Sequence, residues 1–350
     1  MIGDQRPLPR VEGPCSSTAS RPDAGDMAEV IKGRRDVILA GVDGTEAGLA
    51  AARYAAAEAA RSGAVLHLVY VVDPYAPPLP TWPVAPTAPD SRMGQLGRAI
   101  LAEAEDAVTD SGVVVTTDLL LGLPATVLAQ ESAKARLVVL GDQPRTLLDR
   151  IITSSILAPV AAHAPVPMVA VPAAWVPGDE TREIVVGVQD AAGSIALVRR
   201  GLEVAAERGA PLRLLHAWHT FGAFQDYLTV GSEEQAWIDR AERELTATLG
   251  AARADSGPAA AGVDVRVDVV HAQTAYALVE ASRGADLLIL GHGRSFRGFG
   301  HLGGTARAVL RESICPIEID PSVAPAFEGD AGATGGVTTA ESRPVGAGRQ

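Results

Sequence analysis

The feature that most constrains the fold of this chain is an internal duplication. The sequence DVILAGVD at 36–43 returns as EIVVGVQ at 183–189, and ARLVVLG at 135–141 returns as ADLLILG at 285–291. The two pairs occur in the same order and at nearly the same spacing. This arrangement predicts two copies of one domain, because the period is far too long for a solenoid repeat. A length of 350 residues suits two domains as well.

Within each half, short apolar runs alternate with helical segments. In the first half the predicted strands are 37–42, 65–72, 113–121, 137–140 and 165–171, and the predicted helices are 46–61, 98–110, 124–134 and 146–162. Continuous apolar runs separated by helices are typical of buried parallel strands. We therefore predict an α/β fold of two tandem, doubly wound, five-stranded parallel-sheet domains of the Rossmann-like kind. Pro165 and Pro167 cannot donate to a ladder, so we expect this last strand at a sheet edge.

The segments outside and between the two halves are rich in Pro, Gly, Ser and Ala. We expect a disordered N-terminal tail over 1–35, a first domain over 36–172, a linker over 173–181, a second domain over 182–320 and a disordered C-terminal tail over 321–350.

Charge and composition exclude several classes of protein. The net charge of −12 argues against a nucleic-acid binder that neutralises phosphates. The sequence has no apolar run near the roughly 20 residues that a membrane span needs, and its first residues form no secretory apolar segment. Cys15 and Cys315 by themselves make neither a disulfide framework nor a zinc site. We expect a soluble, cytoplasmic protein that acts on neither membranes nor nucleic acids.

A glycine-rich loop follows the fourth strand of the second half, between Gly291 and Thr305, and it carries Arg294. Ligands of open parallel sheets bind beyond the carboxyl ends of the strands. Glycines let the backbone approach a phosphate, and the start of a helix offers free N–H groups to an anion. The alternative is a surface loop with no ligand. The loop is not a P-loop, because no Gly-Lys-Ser/Thr follows it.

On these residues the chain resembles the universal stress protein family, as two such domains in tandem over about 36–319. The strand ending Gly41-Val-Asp43-Gly-Thr, the strand-four loop and the ending Cys315-Pro-Ile carry the resemblance. ATP-binding members of the family have Gly-x2-Gly-x9-Gly-Ser/Thr after strand four. In the second half these positions hold, in order, Gly291, Arg294, Gly304 and Thr305.

The first half departs from the same pattern, because it holds Gly141, Pro144, Ser154 and Ser155 at these positions. It keeps the acidic residue that follows strand one in ATP-binding members, as Asp43, whereas the second half has Gln189 there. Val71 takes the adenine-facing position of the first half and Ala217 the equivalent position of the second. Each half therefore retains a different part of a nucleotide site.

The resemblance implies two domains related by an internal pseudo-twofold, packed through their last strands as a pseudo-dimer within one chain, with a further homodimer left open. It implies ATP or another adenine nucleotide as the ligand, and a role in sensing or stress adaptation without turnover. Unidentified protein partners are compatible with such a role. We expect no enzymatic activity, because no base or metal-ligand set accompanies the glycine loop.

Two rival functions stand beside this one. A partner-docking module that has lost nucleotide binding is favoured by the altered first-half loop. An enzyme of the adenine-nucleotide α-hydrolase group is disfavoured, because Asp43-Gly-Thr-Glu stands where a Ser-Gly-Gly-x-Asp loop would be. No metal site is expected, since the spacing of His216 and His219 does not bring them to one face of a strand.

Overall fold

A computed structural model of the chain describes residues 37–74, 92–143, 156–178, 182–219, 233–292 and 302–321. The strands are β1 (Val37–Gly41), β2 (Val65–Val72), β3 (Val115–Leu121), β4 (Leu137–Asp142), β5 (Met168–Pro172), β6 (Glu183–Gly187), β7 (Leu212–Trp218), β8 (Val265–His271), β9 (Ala285–Gly291) and β10 (Ile317–Asp320). The helices are α1 (Glu46–Ser62), α2 (Arg92–Asp106), α3 (Pro124–Glu131), α4 (Leu157–His163), α5 (Ile195–Arg208), α6 (Glu233–Ala254), α7 (Pro258–Ala261), α8 (Thr274–Ser282) and α9 (Gly304–Glu312).

All ten strands belong to one sheet, in the order β3-β2-β1-β4-β5-β10-β9-β6-β7-β8. Every neighbouring pair is parallel except β5 and β10, which are antiparallel. From the centre outward, the first half contributes β5, β4, β1, β2 and β3, and the second half contributes their counterparts β10, β9, β6, β7 and β8. The two halves are therefore related by a pseudo-twofold axis, which confirms the predicted fold class.

The register of β5 and β10 locates this axis. Val169 pairs with Glu318, and both are the second residues of their strands. On either side of this pair, Ile317 pairs with Ala170 and Ile319 with Met168. The axis thus passes between Val169 and Glu318.

The expectation that the last strand of the first half lies at a sheet edge is wrong. β5 is central, with β4 on one side and β10 on the other. Pro165 and Pro167 precede the strand, and Pro172 is its last residue, so none of these prolines interrupts the middle of a ladder.

The duplication is visible in the contacts of equivalent glycines. A methyl group built on Gly41 would lie 2.6 Å from Leu140 Cδ2, and one built on Gly187 would lie 2.6 Å from Leu290 Cδ2. Leu140 and Leu290 precede the repeated glycines of β4 and β9. The two halves therefore share side-chain packing as well as strand order.

Local sequence explains how the first helix forms. Thr45 accepts a hydrogen bond from the Gly48 N–H at the start of α1, and Gly63 ends the helix with a φ of 67°. Seven alanines of α1 are buried, and such small side chains let the helix lie close to the sheet. The helix predicted over 98–110 instead spans Arg92–Asp106 and is followed by a short 3₁₀ turn.

The helices cover both faces of the sheet. Side chains from α1, α2, α5, α6 and α7 form one apolar cluster with the strands. Side chains from α3, α4, α8 and α9 form the other. Each cluster includes residues of both halves, so the two halves share their cores.

None of the described helices has the length and apolar content that a membrane span requires.

A group of polar side chains, here called the junction cluster, lies where α1 and α5 meet over the axis. It consists of Tyr54, Glu58, Arg200, Arg208 and Glu318. Arg200 donates to both carboxylate oxygens of Glu318, at 2.7 and 3.0 Å, and only 2% of the Glu318 side chain is exposed. Arg208 donates to the Tyr54 hydroxyl at 2.6 Å and also to Glu58. Burial raises the pKa of Tyr54, so its hydroxyl stays protonated.

The predicted tails over 1–35 and 321–350 lie outside the described residues, except for Pro321. The predicted helix over 146–162 is described only from Leu157 onward, as α4. The domain and linker boundaries remain predictions.

We predict that Glu318→Val destabilises the protein by about 3–5 kcal/mol, because it leaves the largely buried Arg200 guanidinium without its carboxylate. Valine suits the position sterically, since Val169 occupies the equivalent one. The double variant Arg200→Met/Glu318→Val should recover much of the lost stability. Thermal denaturation followed by circular dichroism measures the stability of both variants. The control is Glu244→Ala, which removes the carboxylate of an exposed ion pair with Arg240 and should leave the midpoint unchanged. A double variant as unstable as the single one would contradict the prediction.

Candidate functional site

Each half has one topological switch point. From β1 the chain continues to β2 and β3 on one side of the sheet, and it then crosses to β4 and β5 on the other side. The second half repeats this with β6 as its first strand. Ligands of such sheets bind in the crevice beyond the carboxyl ends of the two strands at the switch point. We call the crevice at β1 and β4 the first crevice, and that at β6 and β9 the second crevice.

Asp43 lies at the mouth of the first crevice, two residues after β1, and is exposed. Its Oδ1 accepts hydrogen bonds from the Thr45 N–H at 3.1 Å and from the Thr45 hydroxyl at 2.5 Å. Thr45 Oγ1 accepts from the Gly48 N–H in turn. The turn between them requires Gly44, whose φ is 77°. The carboxylate is thus held in place at the N-terminal end of α1.

Val71 lies near the end of β2 and is half-buried, opposite Leu120 of β3. Its neighbour Tyr70 was not singled out from the sequence. Burial and the negative charge of Asp43 raise the pKa of Tyr70. The phenol therefore lies near enough to Asp43 to interact with it electrostatically.

Gly141 has a packing reason to be glycine. A methyl group at this position would lie 2.3 Å from the carbonyl carbon and oxygen of Ala47, and 2.7 Å from the N atom of Gly48. The end of β4 therefore touches the backbone of the first turn of α1. This close approach brings Asp43 and β4 together at one crevice.

The second crevice has different side chains at the equivalent positions. Gln189 replaces Asp43 and is exposed, and Ala217 replaces Val71. His216 replaces Tyr70, and its Nδ1 lies 2.9 Å from the Val188 carbonyl oxygen. Because a carbonyl only accepts, this contact makes Nδ1 the protonated nitrogen.

Gly291 ends β9, while Gly304 and Thr305 are the first two residues of α9, and both are exposed. The N-cap is Gly303, and no described side chain bonds to the first turn, so Thr305 does not cap this helix. Leu302 is 2% exposed and belongs to the apolar cluster that contains Leu290. The start of α9 is thereby fixed against the sheet, and no described side chain accepts a hydrogen bond from its first N–H groups, which are of the kind that bind anions.

Three predicted site residues, Arg294, Ser154 and Ser155, lie outside the described residues, as does Pro144. Their place at the crevices stays a prediction.

Beside Ala217, the ring of Trp218 stacks on His271, with centroids 4.2 Å apart and planes 9° from parallel. His271 Nδ1 lies 3.2 Å from Glu234 Oε1 of α6. The sequence drew attention to His216 and His219 as possible metal ligands, but not to this stacked pair. It results from the register of β7 and β8, which places Trp218 opposite His271.

Within the described ranges, no group of three or more metal-ligating side chains comes together. His67 lies in β2 with its Nδ1 2.8 Å from Thr116 Oγ1 and its Nε2 3.5 Å from Asp118 Oδ2.

Comparison with known proteins gives a consistent result. The model of the universal stress protein family matches residues 34–172 and again 180–319. A universal stress protein of Mycolicibacterium smegmatis is 28% identical over 292 residues, covering 81% of this chain and 96% of that one. A universal stress protein of Mycobacterium tuberculosis is 28% identical over 289 residues, covering 80% and 95%.

Solved structures agree on the fold. A universal stress protein from Archaeoglobus fulgidus superposes with a TM-score of 0.56 at 14% identity, covering 81% of this chain and 96% of that one. A putative universal stress protein from Pseudomonas aeruginosa gives 0.52 at 15% identity, covering 83% and 94%.

We predict that Gly141→Ala destabilises the protein, by about 1–3 kcal/mol, because its methyl group would overlap the α1 backbone. Gly304→Ala is the matched control, since no described atom lies within 4 Å of the added methyl group, and alanine favours a helix. Thermal denaturation of both variants tests this. Equal midpoints for the two variants would show that the strand–helix contact does not require glycine.

Proposed function

The chain belongs to the universal stress protein family. We propose that it is a stress-adaptation protein that binds an adenine nucleotide, with ATP as the first candidate, and does not hydrolyse it. The observation that carries this proposal is the pair of crevices at the switch points. The fourth strand of each half, β4 or β9, has a glycine at its carboxyl end, Gly141 or Gly291.

The phosphates are assigned to the second crevice. Gly291, Gly304 and Thr305 keep three of the four positions of the family pattern, and Arg294 supplies a cation at the fourth. The first turn of α9 adds backbone N–H groups that no described side chain caps. Hydrogen bonds to a charged group contribute about 1.5–3 kcal/mol each, so this end dominates the affinity.

The first crevice is assigned a weaker role. Asp43 and Val71 would face the nucleoside, while Gly141, Ser154 and Ser155 take the phosphate positions. Two observations support the ranking. The Asp43 Oδ1 is engaged by Thr45, and the glycine at 141 is explained by packing against α1. The partner-docking alternative requires a loss of nucleotide binding in both halves, and the altered loop of this half is the feature that favours it.

Hydrolysis is not part of the proposal. It needs a positioned water, a base and usually a metal. The residues that match the family pattern at the phosphates are glycines, a threonine and an arginine, none of which serves as a general base at neutral pH. We place this function in the cytoplasm, where a cell makes and uses its adenine nucleotides.

Nucleotide binding is tested by calorimetric titration of ATP into the wild type and two variants. Gly304→Val should abolish most binding, because its branched side chain occupies the approach of the phosphate. No described atom lies within 4 Å of a methyl group at Gly304, so this variant should keep the wild-type melting temperature. Asp43→Ala should have the smaller effect. Loss of binding in Asp43→Ala alone would assign the site to the first crevice.

If the wild type binds no adenine nucleotide, and none is released when the purified protein is denatured, the proposal fails and partner docking takes its place.

Purified protein incubated with ATP and Mg²⁺ should release no phosphate above background. A steady turnover in the usual enzymatic range of about 1–10³ per second would contradict the proposal, provided that it survives repurification.

A further inference from the structure

The antiparallel junction brings a segment of the first half to the second crevice. Met168, the first residue of β5, pairs with Ile319, near the carboxyl end of β10. Gly291, at the end of β9, pairs with Asp320. The chain that enters β5 from α4 therefore lies two strands away from the end of β9, where the phosphates are proposed to bind.

His292 follows Gly291 at this place. Its backbone N–H donates to the Asp320 carbonyl oxygen at 3.0 Å, which continues the ladder by one residue. Its Nε2 is buried and has no hydrogen-bond partner among the described residues. A buried polar atom without a partner costs free energy, and a bound ligand removes that cost.

His163 is the last residue of α4 and lies five positions before Met168. It is exposed, and its Nδ1 donates to the Pro159 carbonyl oxygen at 2.8 Å, which leaves Nε2 as the site for a second proton. Burial, and next the charge of His163, lower the pKa of His292. The imidazoles of the two halves thus lie within electrostatic reach of each other.

The pseudo-twofold gives the first crevice a different pair. Asp142 follows Gly141 as His292 follows Gly291, and Glu312 ends α9 as His163 ends α4. The two positions that hold imidazoles beside the second crevice therefore hold carboxylates beside the first.

We propose that the second crevice is completed across the junction by His292 of its own half and His163 of the other, and that this pair takes up a proton when it binds the phosphates of a nucleotide. This inference rests on the proposed function, and it adds a regulation to the site, namely that acidification strengthens binding.

The sign follows from the charges. A phosphate group beside an imidazole favours its protonated form, so the pKa of His292 rises on binding from a value that lies below the usual one in the free protein. Affinity therefore rises as the pH falls through the raised pKa, and it levels off below the pKa of the free protein. The charged or titratable groups on the described neighbouring elements are His163 of α4, Glu318 and Asp320 of β10, and Arg307, Arg311 and Glu312 of α9. Of these, Glu318 is paired with Arg200.

The test is calorimetric titration of ATP at about pH 6 in two buffers with different ionisation enthalpies, which counts the protons taken up on binding. The variants are His292→Gln, His163→Gln and, as the matched control at the pseudo-symmetric position, Asp142→Asn. Protonation of ATP itself is common to all samples and cancels between them. The wild type and Asp142→Asn should each take up more protons on binding than His292→Gln, with a difference of at most one proton. His163→Gln should also take up fewer protons than the wild type.

From about pH 8 to pH 6, the affinity of the wild type should rise by severalfold relative to that of His292→Gln. His163 is exposed, so His163→Gln tests the proposal even if His292→Gln does not fold. Equal proton uptake in the wild type and the histidine variants overturns this inference and leaves nucleotide binding intact. If the wild type binds no ATP at either pH, the proposed function and this inference both fail.

Discussion

The hydrogen bonds between β5 and β10 determine how the rest of the molecule is arranged. They join two five-stranded parallel sheets into one, and because they are antiparallel they reverse the direction of the second set of strands. The carboxyl ends of β1–β5 therefore point one way along the strand direction, and those of β6–β10 point the opposite way. The two crevices consequently lie at opposite ends of the strands. Each crevice is beside the helix that precedes the last strand of the other half.

Much of the fold could be predicted from the sequence, because alternation and duplication are local signals. The repeated glycines at 41 and 187 do share their packing, and the strand endings at Asp43, Gly141 and Gly291 do lie at switch points. The placement of β5 was wrong, since two prolines before a strand say little about the strand itself. The approach of His163 to His292 results from the pairing of the halves. This pairing joins residues that are more than 100 positions apart, and no periodic pattern in the sequence indicates which of them meet.

The candidate site shows why pattern positions alone did not assign roles. Gly141 and Asp43 match the family pattern, yet each also has a local structural role, since Gly141 packs closely against α1 and Asp43 fixes the turn that begins this helix. Gly304 has no such role among the described contacts, because no described atom lies within 4 Å of a methyl group built there. A signal for the junction cluster was present in the sequence, because Glu318 stands between two isoleucines of a short apolar strand, where a buried carboxylate requires a cation.

The unequal charges at the axis mean that the chain is a fused heterodimer rather than two exchangeable copies. The second half supplies both Arg200 and Glu318, where the first half has Tyr54 and Val169. Two second halves paired in this way would bring two Glu318 carboxylates to the axis, each with its own Arg200, and two first halves would bring two valines there. Only the pairing of unlike halves therefore places a single buried ion pair beside an apolar residue at the axis, and an exchange of halves between chains that joins like halves changes the charge buried there.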